Sequence, residues 1–263
     1  MSFNVGDVLP AHYDPVVIAA SYIVSVLGSY FALFHAQHMF RRDGSINRSI
    51  ALSAAVSLGG IGIWAMHFIG MMGFRLPVTV VYEGFATFAS LIAAIVIAGI
   101  GLVLAGGRGR FSVRGWTYGS VLAGAGVCVM HYLGMYAMNL RATMSLDLGV
   151  VAASVAIAVF AAAAALWLVF HIRQTSHRIA AALIMGVAVC AMHYTGMSSA
   201  QFICISQAPQ PFWFIGGENL PALVFLVTCL VLVWLFWNAM GVKNEVETRH
   251  RDMRMVNKLK KVS

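Results

Sequence analysis

Three short motifs in apolar surroundings combine side chains that bind metals. They read Met-His-Phe-Ile-Gly-Met at 66–71, Met-His-Tyr-Leu-Gly-Met at 130–135 and Met-His-Tyr-Thr-Gly-Met at 192–197. Imidazole suits copper, zinc and iron, whereas the methionine thioether is a soft ligand that suits Cu(I). A histidine inside a hydrophobic segment is costly, and ionisable groups in such positions usually mark function. The motifs therefore indicate a metal site.

Helical periodicity places several of these side chains on one stripe. Successive residues turn by about 100°, so the methionine four residues after each histidine lies on the same face. The residue three before the histidine also lies there; it is a cysteine in two copies and Trp64 in the first. The glycine three residues after each histidine leaves a bare strip that admits a neighbouring helix. This spacing predicts the candidate ligands His67, His131, His193, Met71, Met135, Met197, Cys128 and Cys190.

The predicted ligand set favours copper. The apolar runs contain no Asp or Glu, which argues against magnesium, calcium and a di-iron carboxylate centre. Three neutral imidazoles on three helices make a trigonal site, with one of the three methionines as an axial ligand. Bis-histidine haem is a competitor, although three matched histidines suit one metal ion better than one haem. The alternative is that duplication produced the copies and that packing retains them.

The elements that carry the motifs are membrane-spanning helices. The chain has 263 residues, of which 60% are hydrophobic and 10% charged, against about 45–50% and ~25% in soluble domains. A helix that crosses a bilayer needs about 20 apolar residues. The sequence therefore predicts an all-α membrane protein with seven transmembrane helices, near 15–34, 49–73, 84–105, 115–138, 148–170, 178–202 and 219–241.

An internal repeat organises these helices into three two-helix units followed by a seventh helix. The three histidines are 64 and 62 residues apart, and each lies on an even-numbered helix. Counted from the basic loop that precedes each even helix, they lie at similar depth, within about 6 Å at 1.5 Å per residue. Parallel repeats about an axis normal to the membrane are expected to bring them together near that axis.

The distribution of basic residues predicts the orientation. All but two of the 17 Lys and Arg residues, the exceptions being Arg75 and Arg141, fall on one side of the predicted helices. The positive-inside rule makes that side cytoplasmic. We expect a transmembrane domain over 1–241 with its N-terminus outside, and a cytoplasmic tail over 242–263. The net charge of +8 then reflects topology and anionic lipids, and nothing indicates nucleic acid.

The third motif spells Met-His-Tyr-Thr, and the three copies together resemble the MHYT domain of bacterial integral membrane sensors. The resemblance covers roughly residues 12 to 240; Leu133, Phe68 and Ile69 depart from the signature. It implies a seven-helix domain in the bacterial plasma membrane that binds copper near its outer face and senses oxygen, carbon monoxide or nitric oxide. It also implies that Met66, Met130 and Met192 join the ligand set.

We therefore expect a copper-binding sensor that detects a diatomic gas or redox state and signals to a cytoplasmic partner or through a second copy. MHYT proteins often carry cyclase, phosphodiesterase, kinase or DNA-binding output domains. About 22 residues follow the last helix here, too few for a folded catalytic domain, so we expect no enzyme activity in this chain. Two alternatives are a copper or small-molecule transporter and a membrane copper oxidoreductase. The first needs ligands along the whole path, and the second needs a proton path.

Overall fold

The computed structural model describes residues 3–41, 43–107, 111–172, 174–206, 214–215 and 219–262. Within these residues, seven helices are long and apolar enough to cross a membrane, which confirms the predicted fold class. Four arginines that contributed to the predicted orientation, Arg42, Arg108, Arg110 and Arg173, lie outside the described residues. The helices are α1 (Pro15–His38), α2 (Arg48–Met72), α3 (Gly84–Gly106), α4 (Val113–Tyr136), α5 (Leu148–His171), α6 (Thr175–Ser198) and α7 (Asn219–Val262).

Six of the helices close a ring. Each of α1 to α6 packs against the helices before and after it in the chain, and α6 returns to α1. Helix α7 lies outside the ring, against α1 and α2. Its buried residues include Leu220, Val224, Thr228 and Leu235, which recur at helical spacing on one face. A stripe of this kind is typical of a helix that packs on one side and faces lipid on the other.

Short strands show that the repeat unit is a helical hairpin. They lie at one end of the bundle, which we call the strand end; the opposite end, with the loops that follow α1, α3 and α5, is the basic end. The strand before each odd helix pairs antiparallel with the strand after the next even helix. A seventh strand adds to β3. The strands are β1 (His12–Tyr13), β2 (Phe74–Arg75), β3 (Val81–Glu83), β4 (Met138–Asn139), β5 (Ala142–Leu146), β6 (Ala200–Cys204) and β7 (Phe214–Ile215).

An acidic cap begins every odd helix of the ring at the strand end. The carboxylates of Asp14, Glu83 and Asp147 each accept hydrogen bonds from two backbone N–H groups of the helix that follows. Such caps satisfy donors that have no partner within the helix, and they place negative charge at the positive end of the helix dipole. A carboxylate at the same place in three hairpins is a second mark of the repeat.

Helix α2 differs from its counterparts because its middle, Val56–Ala65, is a π-helix. Hydrogen bonds from i to i+5 widen the backbone, so more residues fit into a given length than in an α-helix. The first histidine lies 19 residues after Arg48, whereas the second lies 17 after Arg114. The π segment takes up extra residues, which explains how His67 reaches the depth of its counterparts despite the longer count.

Candidate metal centre

The three motif histidines meet at a single point in the bundle. Their Nδ1 atoms form a triangle, with 3.0 Å between His67 and His193, 3.1 Å between His67 and His131, and 3.3 Å between His131 and His193. All three side chains are buried, at most 1% exposed. Helices α2, α4 and α6 each supply one member, so the three-fold arrangement predicted from the repeat is present in the fold.

A closed triangle of imidazole nitrogens cannot satisfy itself by hydrogen bonding. A ring nitrogen either carries hydrogen and donates, or carries a lone pair and accepts. Three nitrogens around a triangle cannot alternate, so at least one edge sets two lone pairs or two N–H groups against each other. Buried polar groups without partners are costly. A cation at the centre removes this conflict, because it accepts all three lone pairs at once.

The size of the triangle fits a small metal ion. Imidazole nitrogens bind such ions at about 2.0–2.1 Å, and at that distance two tetrahedral ligands are about 3.3 Å apart. The three Nδ1 separations of 3.0, 3.1 and 3.3 Å lie close to this value. Among the described residues, these three histidines form a group of potential metal ligands, with one nitrogen of each within 4.8 Å of the others.

The motif glycines seat the imidazole rings. A Cβ atom on Gly70 would overlap Nε2 of His193, one on Gly134 would overlap Nε2 of His67, and one on Gly196 that of His131. Each histidine therefore rests on the glycine of the next repeat around the ring. The glycine strip was predicted to make room for a neighbouring helix. In the structure it makes room for the imidazole of that helix. Because Nε2 faces the glycine, Nδ1 faces the centre of the bundle.

In two repeats the aromatic residue after the histidine is hydrogen-bonded to an odd helix. The hydroxyl groups of Tyr194 and Ser21 lie 2.8 Å apart, and those of Tyr132 and Ser154 lie 2.7 Å apart. Phe68 has no hydroxyl, and in that repeat the indole N–H of Trp64 donates to Ser90 at 3.0 Å. The tryptophan that replaces cysteine in the first copy thus supplies the anchor that phenylalanine cannot.

These three serines are positions of the candidate site that sequence reasoning missed. Each lies seven residues after an acidic cap, and each is completely buried. The repeated acid-to-serine spacing on the odd helices was the signal that could have found them. It is weaker than the motif, because one serine in an apolar helix is ordinary in membrane proteins. The serines are Ser21, Ser90 and Ser154.

The motif methionines surround the triangle. All six are buried, at most 2% exposed. Those four residues after the histidines pack with Phe74 and Phe202 in the main core, between the histidines and the strand end. Tyr82, in β3, contacts Phe68 edge to face. Burial raises the pKa of Tyr82, so its phenol is neutral. The six are Met66, Met71, Met130, Met135, Met192 and Met197.

The two candidate cysteines lie apart from the histidine group. Cys128 packs with Ala158 and Met192 in a small separate cluster. Cys190 is half-buried and lines a crevice with Tyr22 and Tyr194. Of the predicted imidazole and thiol ligands, the structure therefore brings together the three histidines. The two cysteines lie elsewhere in the bundle.

Comparison with known families identifies the repeat. A family model described as "Bacterial signalling protein N terminal repeat", named MHYT, matches residues 60–117 and 124–182. The two matches begin 64 residues apart, which is the separation of His67 and His131. The third motif lies beyond the second matched range. No solved structure matches the chain.

Several signalling proteins are similar over most of this chain. The bifunctional diguanylate cyclase/cyclic di-GMP phosphodiesterase MucR of Pseudomonas aeruginosa is 36% identical over 85% of the chain and 33% of its own length. The cyclic di-GMP phosphodiesterase NbdA of the same organism is 33% identical over 71% of the chain and 24% of its own length. The signaling protein YkoW of Bacillus subtilis is 28% identical over 72% of the chain and 24% of its own length. The chain spans a third or less of the length of these relatives.

Proposed function

Because the chain belongs to the MHYT repeat family of bacterial signalling proteins, we propose that this multi-pass membrane protein is a sensor module that binds copper at His67, His131 and His193. The observation that carries the proposal is the buried triangle of Nδ1 atoms. Its nitrogens cannot satisfy one another, and its size suits one small ion. Imidazole and thioether donors without a nearby carboxylate favour copper over harder ions.

The residues of this chain have distinct roles in the proposed site. The histidines would hold the ion through Nδ1, and the glycines would seat their rings. The tyrosine–serine pairs would fix the helices that carry two of the histidines, and the buried methionines would keep water away and offer soft donors. A copper ion held by three imidazoles supplies a position at which a diatomic molecule can bind and an oxidation state that can change. The signal is accordingly a diatomic gas (oxygen, carbon monoxide or nitric oxide) or the redox state.

Signalling to cyclic di-GMP enzymes is the proposed output. MucR and NbdA are described as enzymes of cyclic di-GMP metabolism, and this chain matches a third or less of each. The part they share with this chain contains the motifs, and we assign it the sensory role and no catalysis of its own. The partner of this module is then an enzyme domain of that class, which α7 contacts in the cytoplasm.

Metal content of the purified full chain tests the site. The variants His67→Ala, His131→Ala and His193→Ala are each expected to lose most of the bound copper, and their double variants little more, because ligands that act as a unit are not additive. His35→Ala is the matched control, since His35 is a completely buried histidine outside the triangle. Full retention of copper in all three single variants would leave packing as the reason for the motifs.

Orientation is proposed from the charges of the loops. The basic end is assigned to the cytoplasm, which places the strand end and the histidines nearer the outer surface. A reporter fused after Lys261 should behave as cytoplasmic, and one within 204–218 as external. A cytoplasmic result for the second reporter would reverse the sidedness of the metal site, whatever its metal content.

A further inference from the structure

An apolar cavity lies directly below the histidine triangle, toward the basic end. Its lining includes Ile63, Val127 and Val189, and each of these residues lies four positions before a motif histidine. Four residues of helix span about 6 Å. Since all three equivalent positions border the same space, the cavity lies about one helical turn from the histidines, and its further lining comes from α3 and α5.

One motif residue connects the two features. Met192, which immediately precedes His193, lines the cavity and is buried. Methionine is unbranched and flexible, so its side chain can yield to a small guest. The histidines themselves do not line the cavity. The cavity therefore borders a flexible motif methionine that is the chain neighbour of a triangle histidine.

The chemistry of the walls restricts what the cavity can hold. Among the described residues that line it, all are alanine, glycine, valine, leucine, isoleucine or methionine, so a water molecule would find no polar side chain to bond. Apolar cavities of this kind stay dry and take up apolar guests. The volume is about 50 Å³. It has room for a small molecule such as a diatomic gas.

Part of the cavity wall is close to the outer surface of the bundle. Ala161 and Ala162 on α5 and Ala188 on α6 line the cavity and are half-exposed on the side of the bundle that faces lipid. Small side chains leave thin walls between packed helices. Small apolar molecules that dissolve in the bilayer can reach the cavity through this wall without crossing the polar strand end.

We propose that this cavity is a binding pocket for a small apolar molecule, a diatomic gas, which reaches it from the membrane and is held one helical turn from the histidine triangle. The proposal deepens the proposed sensor function, on which it rests, by giving the gas ligand a location of its own. The existence of the pocket does not depend on copper, so it can be tested in protein from which metal has been removed.

Xenon is the probe, because it is apolar, similar in size to a diatomic gas and independent of metal chemistry. Saturable xenon binding to the metal-free full chain, followed by ¹²⁹Xe NMR, is expected in the wild type. The variant Ala162→Val fills the cavity and should lower xenon affinity at least about tenfold. Ala164→Val is the matched control on the same helix, since Ala164 is exposed and does not line the cavity; it should bind xenon like the wild type.

A second filling variant, Ala188→Val, decides the matter if Ala162→Val fails to fold. Equal xenon binding in the wild type and the filled variants, or no saturable site in the wild type, would overturn the proposal. A lipid chain that already occupies the space would give the latter result. Copper content measured on separate, metal-loaded samples tests the proposed function: a wild type that binds xenon but no copper defeats the sensor site alone, whereas a wild type that binds copper but no xenon defeats the pocket alone.

Discussion

At the scale of single residues, three positions of the motif have a physical role in holding the triangle. Histidine supplies the Nδ1 donor, the following tyrosine fixes the helix to its neighbour, and the glycine three residues later seats the ring of the next repeat. The glycine role is reciprocal around the ring, so no motif works alone. This interdependence explains why three matched copies occur in one chain, and it makes the glycines as informative to change as the histidines.

Substitution Gly134→Ala should lower copper affinity about 10- to 100-fold, as for other groups that orient a ligand. The added Cβ would overlap Nε2 of His67, so the ring must turn away from the centre. Gly60→Ala is the control, because a Cβ there meets no atom closer than 3.6 Å. Competition with a copper chelator measures both. Unchanged affinity in Gly134→Ala would show that the glycine does not set the ring.

Substitution Tyr132→Phe should lower copper affinity about tenfold and cost about 1 kcal/mol of stability, since it removes the 2.7 Å bond to Ser154. Ser154→Ala should have a similar effect, and the double variant should add little to either, because both changes remove one interaction. Tyr136→Phe, at a residue 75% exposed, serves as the control. Additive effects of Tyr132→Phe and Ser154→Ala would contradict a direct pairing.

At the scale of elements, the hairpin repeat depends on how each odd helix begins. Asp147 accepts hydrogen bonds from the backbone N–H groups of Gly149 and Val150, at 2.8 and 3.1 Å, and its own N–H donates to the carbonyl of Ser199 at 2.8 Å. The cap of α5 is thereby joined to the end of α6. Asp147 thus caps the start of α5 and connects it to the end of α6, the other helix of the same hairpin.

Replacement Asp147→Ala should destabilise the protein by about 1 kcal/mol, the usual loss for an N-cap, whereas Asp147→Asn should cost little because the amide oxygen still accepts. Asp43→Ala is the control, since Asp43 binds Ser45 in an exposed loop and caps no helix. Unfolding by detergent titration compares the three. Equal stability of Asp147→Ala and Asp43→Ala would argue against the cap as a structural requirement.

The sequence predicted the helices and the meeting of the three histidines, because both leave periodic signals. Long apolar runs give the seven helices, and three copies at nearly constant spacing bring His67, His131 and His193 together. Local conformation left no such signal. The π segment in α2 packs closely on its neighbours, since a Cβ on Gly28 of α1 would meet the backbone of α2 and one on Gly59 that of α3. The strands are two to five residues long. The positions of the thiols depended on side-chain directions that spacing alone does not fix.

At the scale of the whole molecule, α7 is set apart from the ring that holds the site. It carries no motif, packs against α1 and α2, and runs as one helix from Asn219 to Val262. Helix α2 carries both His67 and the π segment, and irregular helical turns of this kind are frequent at functional sites. A change at the triangle can therefore reach α7 through the helix it touches.

The last prediction concerns this path. A ligand shifts a conformational equilibrium only when it prefers one of the two states, so gas binding or oxidation at the copper must change how α2 packs if it is to move α7. We expect hydrogen exchange of residues 241–262 in copper-loaded protein to differ with and without carbon monoxide or oxygen. The difference should vanish in His131→Ala, which lacks the site but leaves α2 and α7 unaltered. Identical exchange under every gas and redox state, with copper bound, would exclude this route and move storage, transport or catalysis ahead of sensing.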